Sequence, residues 1–532
     1  MNIQFNVFFW FVSAMPIFVL VFLMMVLKWS AIKAAPLSLL ITLITSFIVF
    51  KATPELILVE SGKALWSAIS IISVVITAIL LYETSKEARA FEVLNRAFNS
   101  AAPNELIRIL LIGVVFSSFL QGVTGFGVPI LVTAPLLIGI GVKPIWAVVI
   151  PLIGHCWAGT FGTLALAWHA LILQTDIAST ATAAFYTSIL LAILNLSAGF
   201  IIACFYGGNK AIKKGFAAIF LVSITQGFGQ IVITQINPDL GVFIPSVLSA
   251  GVLLITSRLP IYREYWSIEN SRVMYRESKN LKSNSANGMN IPQAFFPYIV
   301  MTLLTIIVLL VAPLNQLMGS ISYGPYFPST MSGLGAYNPE IQVYASIKPF
   351  THASFFLSLS AIMGYFFYIQ KGFIRKKSMQ LILSRTIRKA LPSSIAVLSL
   401  IGISRIMTGT GQTDILAYGV SSLFGEYYSG VSPFIGLVGA FITSSNMSSN
   451  ILFGSFQYSL SNILNVESYL LLGAQTAGGS IGTSIAPSNI VLGATTAGIL
   501  GKEGEILRII LPFVLVITSL FGIITLLLTM LS

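Results

Sequence analysis

The chain has 532 residues, 56% of them apolar and only 9% charged, against about 25% charged in an ordinary soluble domain. That balance excludes a soluble enzyme or binding module, and several apolar runs reach the ~20 residues that cross a bilayer. A net charge of +12 does not imply nucleic acid, because the basic residues sit in short loops between apolar runs, where they report topology.

Spans are predicted, in chain order, over Val7–Leu27, Pro36–Val49, Ile57–Leu81, Leu106–Leu120, Thr180–Phe205, Phe216–Ile233, Gly241–Ile255, Phe295–Val311, His352–Ile369, Leu391–Met407, Gly430–Thr443 and Ile506–Leu531. The first follows a stretch without Lys or Arg and has no small-residue cleavage site, so it reads as a retained helix. Basic residues cluster at Lys86, Arg89, Arg96 and Arg108, at Lys210, Lys213 and Lys214, from Arg258 to Lys282, and from Lys371 to Lys389. Placing these inside requires an external N-terminus and puts the loop from Pro313 to Pro349 outside. Lys51 and Lys143 do not fit that rule. Glu83–Ala101 has the periodicity of a helix lying along the inner surface. Ile268–Ser283 reads as a solvated linker or an interfacial helix. Cys156 and Cys204 give no disulfide framework and no metal spacing, and both read as buried small hydrophobes.

Two stretches, 121–176 and 444–500, are apolar overall yet full of helix breakers. The first contains Gln121-Gly-Val-Thr-Gly-Phe-Gly-Val-Pro129 and Gly154-His-Cys-Trp-Ala-Gly-Thr-Phe-Gly-Thr163. The second contains Ser444-Ser-Asn-Met-Ser-Ser-Asn450, Gly478-Gly-Ser-Ile-Gly-Thr483 and Pro487. Lipid cannot satisfy the backbone groups freed at such breaks, so they must be buried in protein or line a wet cavity. Paired breaks in the two halves of a chain point to a carrier's binding site. The spans before and after each region run in opposite directions, and Ala158–Thr163 matches Gly478–Thr483 at an offset of 320 with three identities. The predicted fold is therefore an all-α polytopic membrane protein with an inverted-topology repeat and two broken or re-entrant regions. Its parts are a first repeat over 1–209, a linking hairpin and cytoplasmic loop over 210–290, and a second repeat over 291–532.

At these residues the chain resembles the L-lactate permease family of bacterial and archaeal carriers. Gly125-Phe-Gly-Val-Pro129, Lys143-Pro144, Thr443–Asn450, Gly478-Gly-Ser-Ile-Gly482, Pro487 and Gly501-Lys-Glu503 carry the resemblance, which covers nearly the whole chain. It implies proton-coupled uptake of small 2-hydroxymonocarboxylates such as lactate or glycolate across the inner membrane. The chain departs from the family at Gln121, where members often carry an acidic residue, and at His155, where they often carry Asn.

A carboxylate at mid-membrane needs donors aimed at it, and helix N-termini supply N–H groups and partial positive charge. Ser445, Asn446, Ser448, Ser449 and Asn450 suit one such tip. Four Ser and two Asn within seven residues exceed what helix packing requires. Gly122, Thr124, Gly125 and Gly127 suit the opposing tip, with Gln121, Gln475, Gly479 and Thr483 beside them. Small residues also serve helix packing, and for the 478–482 glycines both roles stand. His155 either carries the coupling proton or donates to the substrate's hydroxyl, or is a structural histidine bonded to a carbonyl. His169 reads as interfacial. Arg405, deep in its span, either binds the carboxylate, pairs with Asp414, or snorkels outward.

An embedded enzyme is the first rival, but no catalytic constellation is found, and Gly498-Ile-Leu-Gly-Lys502 lacks the P-loop spacing. A channel and a sodium-coupled dicarboxylate carrier are the others. The expected partners are a small carboxylate, a coupling proton and the bilayer, with no cofactor or metal. Homo-oligomerisation is left open.

Overall fold

The computed structural model describes residues 6–93, 102–125, 127–275, 288–375 and 377–531. Among these, nine helices are long and apolar enough to cross a bilayer, or ten if one bent pair counts as a span. The protein is a multi-pass, all-α membrane protein, and each predicted span falls on a helix.

Three helices open the chain, α1 (Val7–Met25), α2 (Ala31–Ile48) and α3 (Pro54–Glu87). Thr53 caps α3, its Oγ1 accepting from Leu56 N–H at 3.2 Å, and Pro54 occupies the first turn, where a missing N–H costs nothing. Because α3 runs on to Glu87, Glu83 belongs to a spanning helix and not to a separate surface helix. Past α3, residues 88–89 turn and 90–93 are helical, and residues 94–101 of that predicted surface segment lie outside the described residues.

The first broken region starts with α4 (Glu105–Val123), which includes a π-helical stretch over Leu111–Phe116. It continues through α5 (Val128–Gly139), α6 (Pro144–Gly154) and α7 (Gly162–Ile172). A strap over 266–275 shows how these run. Glu105 N–H donates to Trp266 O at 3.1 Å, and Lys143 N–H donates to Val273 O at 2.8 Å. The ends of α4 and α5 remote from the break thus meet one strap at the basic end, and the break at 124–127 is the tip of a helical hairpin. The chain then crosses through the half-helices α6 and α7. This also resolves Lys143, which sits against the basic 258–275 segment and fits the inside rule after all. The described part of Ile268–Ser283 forms no helix; residues 276–283 lie outside the description.

Helix Thr180–Ser223 breaks at Gly207 and Gly208 (φ −163° and +57°), giving α8 over 180–206 and α9 over 209–236. Asn195 Nδ2 to Gln226 Oε1 at 2.8 Å and Ser188 to Thr234 at 3.0 Å fold the pair antiparallel. Then α10 (Phe243–Thr256) leads to the strap. Cys156 is buried, as expected; Cys204 is exposed on α8, where a small apolar thiol suits lipid.

Past the strap, α11 (Phe296–Leu310) turns 88° into α12 (Ala312–Gly319). A loop follows, carrying a two-stranded ribbon, β1 (Thr330–Met331) and β2 (Tyr337–Asn338). Gly333 N–H donates to Lys51 O at 2.9 Å, so Lys51 lies with this loop, opposite the basic end. Next, α13 (Ala353–Gln370) and α14 (Ser378–Gly409) pack along α3. At the basic end Lys389 pairs with Glu83, and Arg385 with Glu87 at 2.9 Å.

After α15 (Gln412–Phe424) the second broken region comprises α16 (Tyr428–Thr443), α17 (Asn446–Leu464), α18 (Ser468–Gly482) and α19 (Pro487–Thr496), followed by α20 (Glu503–Leu531). Tyr428 donates to Gln457 Oε1 at 2.8 Å, so α16 and α17 also form a hairpin, with its tip at 444–445. The order of helices repeats that of α4 to α8. The offset is 323 residues between Glu105 and Tyr428, and again between Thr180 and Glu503. Glycine contacts repeat as well. A Cβ on Gly154 would lie 2.0 Å from Gly113 O, and one on Gly478 1.9 Å from Pro433 O. In both regions the first helix meets the third backbone to backbone, which only glycine permits.

Candidate functional site

The first tip is built by chain reversal. Thr124 ends α4, its Oγ1 donating to Leu120 O at 2.8 Å. Gly125 and Gly127 then take φ of +56° and +76°, a region that side chains rarely adopt. A Cβ on Gly125 would fall 2.2 Å from Thr163 Oγ1, so this tip lies tight against the start of α7. There Thr163, Leu164 and Ala165 have φ of 52°, 52° and 57°, a left-handed turn that costs L-residues about 1–2 kcal/mol each.

The second tip turns at Ser444 (φ +60°), and Ser445 caps α17 by accepting from Ser448 N–H at 3.3 Å. The first N–H groups of a helix have no partner within it, which leaves those of Asn446 and Met447 beside the cavity described below. Asn446 Nδ2 donates to Thr160 Oγ1 at 3.1 Å and Thr476 Oγ1 at 3.3 Å. Asn450 Nδ2 donates to Thr476 Oγ1 at 2.8 Å and Ala167 O at 2.9 Å. Oδ1 of each is buried without a hydrogen-bond partner. A Cβ on Gly479 would lie 2.0 Å from Asn446 Oδ1, so this glycine makes room for the amide.

Between the tips lies a cavity of about 90 Å³ lined by Gln121, Gly125, Gly127, His155, Thr163, Ser444, Ser445, Asn446, Met447, Thr483 and Asn489. A water needs ~10–15 Å³ on such a scale, so the space suits several waters or one small carboxylate. His155 lines the cavity with its Nδ1 buried, and the Pro151 carbonyl of the preceding turn acts on the ring, so the cavity-facing and carbonyl-bonded readings both stand. The chemistry on offer is helix N-terminal N–H groups and Gln121 for an anion, with Asn446 Oδ1 as acceptor for a hydroxyl. A larger cavity of about 700 Å³ between α4, α10 and α11 is mostly apolar and contains no predicted site residue.

Several predicted residues stand back from this cavity. Gly122 packs on Val242 and Phe243. Ser448 and Thr124 serve the tips as described. Ser449 donates to Gly436 O at 2.9 Å and accepts from Gln475 at 3.1 Å, while Gln475 Oε1 accepts from Gln457 at 2.9 Å. That chain braces the second hairpin. Gly478 and Gly482 pack on the backbone of α16, whereas Gly479 sits against the Asn446 amide. Arg405 pairs with Glu60 at 3.3 Å, not with Asp414, which instead accepts from Ser459 at 2.7 Å. Glu60 also holds Lys63 at 2.6 Å, making a largely buried three-charge cluster between α3 and α14. Sequence reasoning missed Thr160, Thr476 and Asn489. Only Asn489, two residues past the helix-starting Pro487, carried a positional signal. Among the described residues no group of three or more His, Cys, Asp or Glu is placed to hold a metal.

The L-lactate permease family pattern matches residues 10–532. The chain belongs to the L-lactate permease family. It is a permease, not an enzyme. An L-lactate permease of Halalkalibacterium halodurans is 26% identical, over 94% of this chain and 93% of its own. The glycolate permease GlcA of Escherichia coli is 23% identical over 97% and 95%, and an L-lactate permease of that organism 24% over 97% and 94%. The Alcanivorax borkumensis YdaH transporter structure overlays with a TM-score of 0.43 at 10% identity, over 86% of this chain and 85% of that one.

Proposed function

We propose that this permease is a secondary carrier of small 2-hydroxymonocarboxylates, lactate and glycolate first among them, in the bacterial inner membrane. The cavity between the two hairpin tips carries this reading. It has the size of such a molecule, helix N-terminal N–H groups for a carboxylate, and an unpartnered amide oxygen for a hydroxyl. The names of the lactate and glycolate permease relatives support the substrate class. Transport is symport with protons, and His155, the histidine in the cavity wall, is the proton carrier. The repeated helix order and glycine contacts support two halves of inverted topology, with alternating access by movement of the tip-bearing helices against α1–α3 and α13–α15.

Uptake of labelled lactate into proteoliposomes tests this. Accumulation driven by an inward proton gradient and competed by glycolate is expected, with Asn446→Ala and Asn450→Ala inactive at normal membrane levels. Accumulation that needs sodium overturns the coupling. Dicarboxylate uptake without lactate uptake overturns the substrate. Wild-type uptake in both variants overturns the site.

A further inference from the structure

A second hollow, of about 230 Å³, lies beside the cavity on the side of the 313–349 loop. Leu166 lines both spaces. One helical turn along α7, His169 Nε2 lies 2.5 Å from Asp239 Oδ1, at the outer end of the α8–α9 hairpin. From the loop and the start of α13 come Lys348 and His352. The chain has three histidines; two line this hollow and the third, His155, lines the cavity within.

The charges here do not cancel. Asp239 is occupied by His169. His352 caps α13, its Nδ1 accepting from Ser354 N–H at 3.4 Å while Nε2 lies 3.0 Å from Ser70 Oγ, an arrangement of the neutral ring. Lys348 is exposed and has no ion-pair partner among the described residues. A permanent cation therefore stands over a hollow whose floor touches the cavity.

We propose that this hollow is an outer capture site for the carboxylate, held by Lys348 with the Thr351 hydroxyl beside it, and that the anion then passes Leu166 into the cavity. This rests on the carrier reading above. One charge contact in water is worth about a fivefold change in affinity, and attraction to an exposed charge weakens as salt screens it. Capture therefore acts on apparent affinity and leaves the turnover step alone.

The experiment is lactate uptake by the full-length chain in proteoliposomes, at low and high salt, for wild type, Lys348→Gln and Lys348→Glu. We expect KM to rise about fivefold in Lys348→Gln and further in Lys348→Glu at unchanged maximal rate. Added salt should raise KM in wild type but not in Lys348→Gln. A Leu166→Cys, Cys204→Ser variant should be labelled by a membrane-impermeant thiol reagent applied on the loop side, and lactate should slow that labelling. Active wild type with unchanged KM and salt response in the Lys348 variants overturns the capture site and leaves the carrier reading intact. So does labelling of Leu166→Cys only from the basic-loop side. Wild type inactive toward every small monocarboxylate overturns the carrier reading and the capture site with it.

Discussion

Asn446 Nδ2 donates to Thr160 Oγ1 at 3.1 Å, joining the second broken region to the first across 286 residues of chain. Thr160 in turn meets Thr476, with 3.1 Å between the hydroxyls. Removing either hydroxyl strands a buried amide donor, which costs about 1–3 kcal/mol. Thr160→Val and Thr476→Val should each lower the melting temperature and cut lactate uptake at least about tenfold, while Thr160→Ser stays near wild type. Unchanged uptake in both valine variants would remove this link from the site.

The glycine contacts set a harder limit. At Gly154 and Gly478 an added methyl meets a backbone carbonyl oxygen at 2.0 and 1.9 Å, and no rotamer change relieves that. Gly154→Ala and Gly478→Ala should cost about 1–3 kcal/mol or more, as over-packed cores do, seen as a lower melting temperature in detergent. Gly251, with nothing within 4 Å and a helical position, is the control. Gly251→Ala should be neutral or stabilise by up to ~1 kcal/mol.

Glu60 and Lys63 are buried and Arg405 is partly buried, with one carboxylate between two cations. Breaking a buried pair typically costs about 3–5 kcal/mol because a charge is left uncompensated. Glu60→Ala should be the most damaging single change here, since it strands two cations. Arg405→Gln should be milder, because Lys63 still serves Glu60. Thermal melts of the two variants compare them directly, and the reverse order would refute this account.

His155→Asn keeps a polar group of similar reach but cannot carry a proton. Counterflow exchange of lactate should persist in this variant, while accumulation driven by a pH gradient is lost. Gradient-driven accumulation at the wild-type level would move the proton elsewhere.

His352 sits just outside the α13 span, and burial, then the nearby His169 charge, pulls its ring down to about 4 from the ordinary 6.5. Between those values the unfolded chain binds a proton that the folded chain does not, so stability falls as pH drops through about 6.5 to 4. His352→Asn retains a good helix cap and should flatten that part of the melting profile. An equally steep profile in the variant would exclude His352 as its source.

Spans were legible because lipid demands long apolar runs, and tips were legible because Gly125, Gly127 and the 444–450 cluster break helices where water is absent. The half-helices α5, α6 and α7 were not separable, since 12, 11 and 11 residues of mostly apolar sequence show no strong face. The match at offset 320 was set by three identities, whereas close packing pairs Gly154 with Gly478, four residues away from that register. Thr160 and Thr476 look like packing residues until Asn446 and Asn450 are seen to bond them. Arg405 and Glu60 are 345 positions apart, and nothing local to either residue names the other.

The bond between Thr160 and Thr476 also orders events during synthesis. Thr160 is inserted long before Asn446 and Thr476 exist, so the emerging first half waits in the bilayer with its hydroxyl unmatched. Such distant pairings form slowly and leave intermediates exposed. The cavity is thus among the last parts of the molecule to form, and a ribosome that stalls anywhere before residue 476 leaves a chain that is embedded but has no site.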